Sequence, residues 1–328
     1  MADQLEADAV CILLFNPHML TLEFAAGSGF HTGAIQNSRL HLGEGIAGYA
    51  ALKRELIVIP DIREEKEFVR ADLLAGENFT GYWGVPLVAK GEVKGLLEVF
   101  HRNHRDEDPA WMDFLKTLAG QSAIAIDNAQ LFEDLKRSHT ELVLAYDDTI
   151  EGWSRAMDLR DRETEGHTRR VTEMTLNLAR LADISTERLI HVKRGALLHD
   201  IGKLGVPDSI LHKPGALTDD EWKIMHRHPQ LAYDMLSPIA YLKPALDIPY
   251  CHHEKWDGTG YPRGLKGEEI PLEARLFAVA DVWDALTSDR PYRAAWSQEK
   301  ALEYIKEQSG RHFDPQAVEL FFGLRECL

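Results

Sequence analysis

The sequence predicts two dissimilar domains joined by a long helix: a first half that mixes strands with helices, and a second half that is almost entirely helical. Up to about residue 100, short apolar runs alternate with turns rich in Gly, Pro and Asn, which is typical of strands. From Trp111 to Leu159 there is no proline, and the only glycines are Gly120 and Gly152. After Thr149, apolar residues recur at spacings of three and four. The length of 328 residues also favours two domains over one.

The composition restricts the possible function classes. The formal net charge of -16 argues against a broad surface for a nucleic-acid polymer. The three cysteines, Cys11, Cys251 and Cys327, are widely spaced and odd in number, which is typical of a reducing compartment. No apolar run is long enough to span a membrane, and no signal peptide is visible at the N-terminus. We therefore expect a cytoplasmic protein with no membrane span.

The first half contains five predicted strands. They cover residues 9–15, 20–26, 55–59, 82–89 and 93–100. The last two flank Lys90-Gly91-Glu92, which predicts a hairpin. A short helix is predicted at 44–51, and a longer helical pattern begins after Asp108-Pro109. Cys11 lies within the first strand pattern and is predicted to be a small core residue.

Four segments of this half together resemble a GAF domain. They read GEGIAGYAA, IVIPDIREE, VPLVAKGEVKGLLEVF and LAGQSAIAIDNAQLFEDL. The resemblance implies an α+β fold, an antiparallel sheet flanked by helices, with a sensor or regulatory role. We place this domain at 1–130. Its ligand, if it has one, is an unknown small molecule, because GAF domains bind chemically diverse ligands or only pair with each other.

A connecting helix is predicted at 131–148. Leu131, Leu135, Leu142 and Ala145 lie near heptad spacing, with charged residues between them. The segment is either one long helix or two helices that meet near Ser138-His139. Long helices of this kind often pair in parallel, so we expect a homodimer through the GAF domain and this helix. The alternative is a helix that packs only on its own domain.

The second half, 149–328, is predicted to be all-α. Helical patterns cover 149–159, 165–182, 186–199, 219–236, 272–284 and 316–324. Thr218 and the three acids after it form a strong helix start. Loops are predicted at Pro214-Gly215 and through the glycine-rich 258–267.

Side chains that can ligate metals gather on these helices. The candidates are Glu163, His167, His199, Asp200, His228, His252, His253 and Asp281. His199 and Asp200 end an apolar helix, where a buried carboxylate needs a partner or a metal ion. Of His226 and His228, two residues apart, we choose His228 as the inward one. His191, His212, His226 and His312 are interpreted as ordinary core or surface residues.

This ligand set exceeds what one ion needs, so it predicts two or three divalent ions, with Asp200 as a bridge. Nitrogen and oxygen ligands without thiolate favour iron, with manganese as the alternative. Cys251 is not counted as a ligand.

Five motifs of the second half resemble an HD-GYP domain of the HD phosphohydrolase superfamily. They are HTRRV from His167, LLHDIGKLGVPDSIL from Leu197, His228-Pro229, HHEKWDGTGYPRGLKGEEIP from His252, and ARLFAVADVWDALTSDRPYR from Ala274. The resemblance implies a metal-dependent phosphodiesterase that converts cyclic di-GMP to pGpG, and in some members to GMP. It also implies that Glu163 marks a three-metal site.

We assign the chemistry to His199, Asp200 and Lys203, with Lys203 on a phosphate oxygen. Gly258 and Gly260 would let the backbone approach the substrate, and Tyr261 would stack on or hydrogen-bond to a guanine or ribose. The remaining substrate-binding candidates are Arg290 and Arg293, which would bind phosphate or the guanine edge, and Asp284, which would hold one of these arginines. Two alternatives stay open: a degenerate HD-GYP scaffold protein, and a hydrolase of another cyclic dinucleotide.

Overall fold

The structure is a computed structural model that describes residues 2–65, 68–105, 108–161, 166–289 and 294–326. The chain divides into two compact units, residues 1–140 and 141–328. The border falls within one continuous α-helix, α3, which spans Pro109–Asp161. Of the two alternatives for the connecting segment, the single helix is therefore the one observed. Among the described residues, no helix is both long and apolar enough to cross a bilayer.

The first unit is built on a six-stranded antiparallel sheet, which confirms the predicted α+β fold. The strand order is β3-β2-β1-β6-β5-β4. The strands are β1 Ala9–Asn16, β2 Thr21–Ser28, β3 Arg39–His41, β4 Ile57–Ile59, β5 Gly81–Ala89 and β6 Glu92–His101. Two short helices, α1 Ala2–Leu5 and α2 Gly45–Lys53, accompany the sheet. The three-residue β3 was not predicted, because its sequence RLH carries no apolar run.

The sheet is covered on both faces. The predicted hairpin between β5 and β6 turns at Lys90 and Gly91, whose φ angles of 49° and 81° are those of a tight left-handed turn. One face packs against α2 and the loop segments, with Tyr82 and Phe100 in its core. The other face packs against the start of α3 through Trp111 and Leu115. The start of α3 is therefore part of the core of this unit.

A charged pair lies inside this unit. Glu98 on β6 is fully buried, and Arg70 donates to both of its carboxylate oxygens. The Tyr82 hydroxyl donates to Glu98 at 2.8 Å, and the Cys11 thiol lies 3.2 Å from it. Burial, reinforced by the nearby Glu98 charge, raises the pKa of Cys11, so its thiol stays neutral. Cys11 is a buried core residue, as predicted, and it also contributes to this polar network.

We expect Glu98→Ala to destabilise the first unit by about 3–5 kcal/mol, because the Arg70 guanidinium would be left buried without its carboxylate. The measurement is hydrogen exchange of the β1 and β6 amides in the full chain, which reports the opening free energy of this sheet.

The matched control is Glu92→Ala, which removes a carboxylate from an exposed ion pair with Lys94 on the same strand. Its exchange rates should stay close to wild type, since exposed pairs contribute little. Equal exchange in the two variants would show that the buried pair does not hold the sheet together.

The second unit is helical, as predicted. Its helices are α4 His167–Leu181, α5 Thr186–Leu197, α6 Asp208–Leu211, α7 Asp219–Met225, α8 His228–Leu236, α9 Asp247–Cys251, α10 Leu272–Thr287, α11 Gln298–Glu307 and α12 Pro315–Glu326. Short 3-10 segments link them, including one at Ile201–Gly205. The central helix is α10, where Leu276, Phe277 and Val279 are fully buried among α4, α5 and α12 residues.

One predicted helix is divided in the structure, and one observed helix was not predicted. The helix predicted over 219–236 is two helices, α7 and α8, separated at His226 and Arg227. Pro229 lies in the first turn of α8, where its missing N–H costs nothing but where it cannot continue an earlier helix. Thr218 caps α7 as predicted, through a capping box with Glu221. The helix α11 was not predicted, although Ser297 caps it.

Candidate metal centre

The second unit brings seven of the eight predicted ligands together in two neighbouring groups. One group is Asp200, His228, His252 and His253, and the other is His167, His199 and Asp281. Within each group the candidate ligand atoms all lie within 4.8 Å of one another. The eighth predicted ligand, Glu163, lies outside the described residues.

The Asp200 carboxylate lies between the two groups. Its Oδ1 is 3.4 Å from His228 Nε2 and 3.8 Å from His252 Nε2. Its Oδ2 is 3.0 Å from His199 Nε2. Each oxygen of one carboxylate thus faces a different set of imidazoles, which is the arrangement that a bridging ligand requires.

The histidine rings are held in orientation by their other nitrogens. The Nδ1 atoms of His199, His228 and His252 lie 2.9–3.1 Å from the backbone carbonyls of Ala196, Met225 and Ile248. A carbonyl can only accept, so each Nδ1 carries a proton, and in its neutral form each ring presents the Nε2 lone pair to the site. This is the outer contact that metal-ligating histidines usually make.

These orientations place acceptors against acceptors. His228 Nε2 lies 3.3 Å from His252 Nε2, and neither atom carries a proton when its Nδ1 does. Lone pairs at this distance, buried beside the Asp200 carboxylate, repel each other unless a cation lies between them. The residues present therefore fit divalent ions.

The acid–base properties of the site agree with this fit. Burial lowers the pKa of His252 to about 3, and it also lowers the pKa values of His228 and His253. These rings are neutral near pH 7, which is the form that binds metals. At His199, burial disfavours the charged ring, but the adjacent Asp200 outweighs burial and raises the pKa.

Asp284 has partners that the sequence did not indicate. Its Oδ2 lies 2.7 Å from His167 Nδ1, and Arg170 Nε donates to its Oδ1 at 2.6 Å. His167 Nε2 in turn lies 3.4 Å from Asp281 Oδ1. Both oxygens of Asp284 therefore bind protein groups among the described residues. Its predicted contact with Arg290 or Arg293 stays a prediction, because those two residues lie outside the described ranges. Arg170, three residues after His167 on α4, is a site residue that sequence reasoning missed.

Lys203 lies beside the bridge. Its ammonium nitrogen is 2.8 Å from Asp200 Oδ2 and 2.5 Å from Asp161 Oδ2. The 3-10 segment that follows Asp200 places it one turn on, as the spacing of three residues predicted. Asp161, at the end of α3, was not identified from the sequence, because an acid 42 residues upstream gives no local signal.

The glycine-rich loop after His253 is folded onto itself. Buried Glu254 accepts hydrogen bonds from the backbone N–H groups of Arg263 and Leu265 at 2.7 and 3.0 Å. A Cβ on Gly260 would lie 2.3 Å from the Lys255 nitrogen, and Gly258 has a φ of 85°. The structure therefore gives these glycines a role in the loop's own turn. Whether their backbone also approaches the substrate stays a prediction.

Tyr261 lies next to the candidate ligands, with its ring centroid 4.8 Å from that of His253. Tyr261 stacks on His226, with ring centroids 4.0 Å apart and an interplanar angle of 23°. Arg290 and Arg293 lie outside the described residues, so their contacts stay predictions. Cys251 is buried, and burial raises the pKa of its thiol to about 12, so it supplies no thiolate near pH 7.

Gly202 explains how Asp200 comes so close to α8. A Cβ at this position would lie 1.9 Å from the His228 carbonyl oxygen and 2.6 Å from the Ala232 nitrogen. No other residue type fits this contact without separating the segment Ile201–Gly205 from α8.

We therefore expect Gly202→Ala to destabilise the second unit by about 1–3 kcal/mol, as overpacking does in cores. Hydrogen exchange of the α5 and α8 amides in the full chain measures this loss.

The control is Gly152→Ala in α3, where an added Cβ meets nothing within 4 Å. That variant should keep or slightly raise stability, because alanine is the better helix former. Unchanged exchange in Gly202→Ala would contradict the proposed close contact.

Comparison with known proteins follows the same division of the chain. The family model for the HD domain matches residues 153–317, and the family model for the GAF domain matches residues 2–127. The chain belongs to the HD domain family and carries a GAF domain before its HD domain. The resemblance predicted from the motifs is confirmed.

Three curated relatives show what kinds of protein share this HD half. The cyclic di-GMP phosphodiesterase response regulator RpfG of Xanthomonas campestris is 44% identical over 174 residues, which cover 52% of this chain and 46% of RpfG. The cyclic di-GMP phosphodiesterase PA4108 of Pseudomonas aeruginosa is 45% identical, covering 49% of this chain and 39% of that protein. The 3'3'-cGAMP-specific phosphodiesterase 2 of Vibrio cholerae is 40% identical, covering 60% and 37%. The matched region spans less than half the length of each of these relatives.

Proposed function

We propose that this chain is a divalent-metal-dependent phosphodiesterase that hydrolyses cyclic di-GMP to pGpG, with GMP as a further product, under the control of its GAF domain. The observation that carries the proposal is the arrangement of ligand atoms. Seven candidate ligand residues form two groups, and Asp200, which is one of the seven, has an oxygen near histidines of each group. The phosphodiesterase relatives, two of them named for cyclic di-GMP, support this substrate.

The proposed metal sites follow the two groups. Asp200, His228, His252 and His253 would hold one ion. His167, His199 and Asp281, with Asp200 shared, would hold a second. The donors are imidazole and carboxylate without thiolate, which supports iron, with manganese as the alternative. A third ion would require Glu163 and stays a prediction.

Divalent ions bound in such a pair act as Lewis acids on a phosphate and lower the pKa of bound water. The chain's own residues hold the candidate metal ligands in fixed orientations. Asp284 and Arg170 fix the ring of His167, and backbone carbonyls fix His199, His228 and His252. The Lys203 cation, 2.8 Å from Asp200, is positioned to offset negative charge on a phosphate oxygen.

This proposal changes the role assigned to Asp284. With both carboxylate oxygens bound to Arg170 and His167, Asp284 acts as a positioning residue for a metal ligand. Tyr261 keeps a substrate-binding role in the proposal, as do Arg290 and Arg293.

A second candidate substrate is 3'3'-cGAMP, which the name of the Vibrio cholerae relative supports. A degenerate scaffold protein is the weaker alternative, because the seven described candidate ligands are intact and assembled.

Replacing Asp200 with alanine should remove bound metal and lower cyclic di-GMP hydrolysis by at least about 100-fold, because both groups lose their shared ligand. Protein purified without oxygen is analysed for iron and manganese by elemental analysis, and products are separated by chromatography. His199→Ala should behave in the same way.

Asp234→Ala is the control, since Asp234 is an exposed acid on α8 that accepts a hydrogen bond from Gln230 at 2.8 Å. It should keep metal and activity. Full turnover by metal-free protein, or by Asp200→Ala, would refute the metal mechanism.

We also propose that two chains pair in parallel through α3. Leu131, Leu135 and Leu142 on this helix are each half or more exposed in the single chain, at 50%, 69% and 53%. Their spacing continues from Ile124, which is 58% exposed, in steps that fit a heptad seam. An exposed stripe of this kind on a 53-residue helix supports pairing with a second copy.

Light scattering of the full chain at micromolar concentration should give twice the chain mass of 37.1 kDa. Leu135→Asp should shift the chain to monomer, since a charge in the seam is costly to bury. Leu144→Asp, an equally exposed leucine off the stripe, should leave the dimer intact. A monomeric wild-type chain would rule the pairing out.

A further inference from the structure

An unbroken series of aromatic rings leads from the metal centre to the surface of the second unit. His253, a candidate ligand, lies 4.8 Å from Tyr261 between ring centroids. Tyr261 stacks on His226 at 4.0 Å, and His226 contacts Trp222 at 5.3 Å. The last two rings come from α7 and the residue that follows it, one turn apart.

The outer end of this series is open to solvent. Trp222 is 46% exposed, and His226 is also exposed. Both side chains belong to an open surface region that also includes Asp219 and Lys223.

The series also limits what Tyr261 can do. His226 covers one face of the Tyr261 ring at stacking distance, and the His253 ring lies close to it at an angle of 31°. A base that entered the site would therefore meet His226 and Trp222 as its available ring surfaces before it could stack on Tyr261. The indole is the larger of the two.

We propose that Trp222 and His226 form a stacking subsite for one purine base of the cyclic dinucleotide. This inference rests on the proposed function and adds a specific contact to it. The phosphodiester would lie at the ligand groups while its base extends along the ring series toward His226 and Trp222. Stacking of a base on an aromatic side chain is sequence-tolerant, because every base presents a π-face. The subsite therefore binds guanine and adenine alike, and discrimination between them has to come from other groups.

The test is steady-state kinetics of the full-length, metal-loaded chain with Trp222→Ala. The KM for cyclic di-GMP should rise roughly 5- to 150-fold, the range that removal of one base–aromatic stack gives. The effect on kcat should be much smaller, because Trp222 does not contact the reacting phosphate. The KM for 3'3'-cGAMP should rise by a similar factor. Hydrolysis of methyl p-nitrophenyl phosphate, which has no nucleobase, should fall far less.

Three controls separate stacking from a structural effect. Trp222→Phe keeps a ring and should retain most of the affinity. Trp153→Ala removes a tryptophan of similar exposure, 42%, from α3 and should leave KM unchanged. Bound metal, measured by elemental analysis, should be the same in Trp222→Ala as in wild type.

The outcomes are distinct. If wild type hydrolyses cyclic di-GMP and Trp222→Ala has the same KM, the stacking subsite is wrong while the proposed function stands. An equal loss with methyl p-nitrophenyl phosphate, or loss of metal, would assign Trp222 a structural role and overturn the subsite. If wild type neither hydrolyses a cyclic dinucleotide nor binds one by equilibrium dialysis with chelator present, the proposed function fails and the subsite with it.

Discussion

The buried carboxylate of Asp200 is the constraint on which the arrangement of the second unit depends. It lies among His199, His228 and His252, whose Nε2 atoms are 3.0–3.8 Å from its oxygens. Burial disfavours its charge, but Lys203 and His199 hold its pKa well below the usual value, so it remains ionised. A buried anion surrounded by acceptors is stable only with cations, and one lysine is insufficient compensation for a second carboxylate at Asp281. The packed helical unit therefore requires further positive charge beside Asp200 and Asp281, which divalent ions would supply.

The backbone geometry around Asp200, His228 and His252 positions these candidate ligands. Gly202 lets the chain after Asp200 touch the His228 carbonyl, and short helices end or begin at the ligands themselves, with α8 starting at His228 and α9 ending before His252. At such ends the carbonyls of the preceding turn remain close to the ring, which is why Met225 and Ile248 can each fix an imidazole. The helix ends at these breaks therefore orient the candidate metal ligands through their backbone carbonyls.

Most of the longer helices and of the candidate metal ligands could be predicted from the sequence, for reasons that differ from one element to the next. Apolar periodicity predicted α5 and α10, because both are buried against the core and tertiary packing agrees with local pattern. The ligands were predictable because histidines and acids within apolar stretches need partners. What the sequence did not indicate are contacts between distant segments: Asp161 with Lys203, Arg170 with Asp284, and Arg70 with Glu98. Each pairs residues from separate elements, and charged residues at such positions look identical to solvated ones. The break between α7 and α8 was not predicted, because the apolar periodicity continues across it; Pro229 in the first turn of α8 is the local signal for it.

The two units place charge inside their cores in different ways, and this difference bears on function. In the first unit, Arg70 and Glu98 neutralise each other completely, with Tyr82 and Cys11 completing the hydrogen bonds. In this network the two buried charges are paired with each other, so the pair does not require an added ion. The network also fixes one arrangement of the sheet and the loop that carries Arg70. In the second unit, His228 Nε2 and His252 Nε2 lie 3.3 Å apart beside the Asp200 carboxylate, and a series of aromatic rings continues from His253 outward to Trp222. This unit therefore has buried carboxylates and imidazoles that require cations, and it has aromatic rings that reach the surface. Both features match the proposed substrate, a metal-coordinated phosphate that carries an aromatic base. Buried acceptors without cations would destabilise a purely structural domain, but here the same acceptors form the candidate metal site.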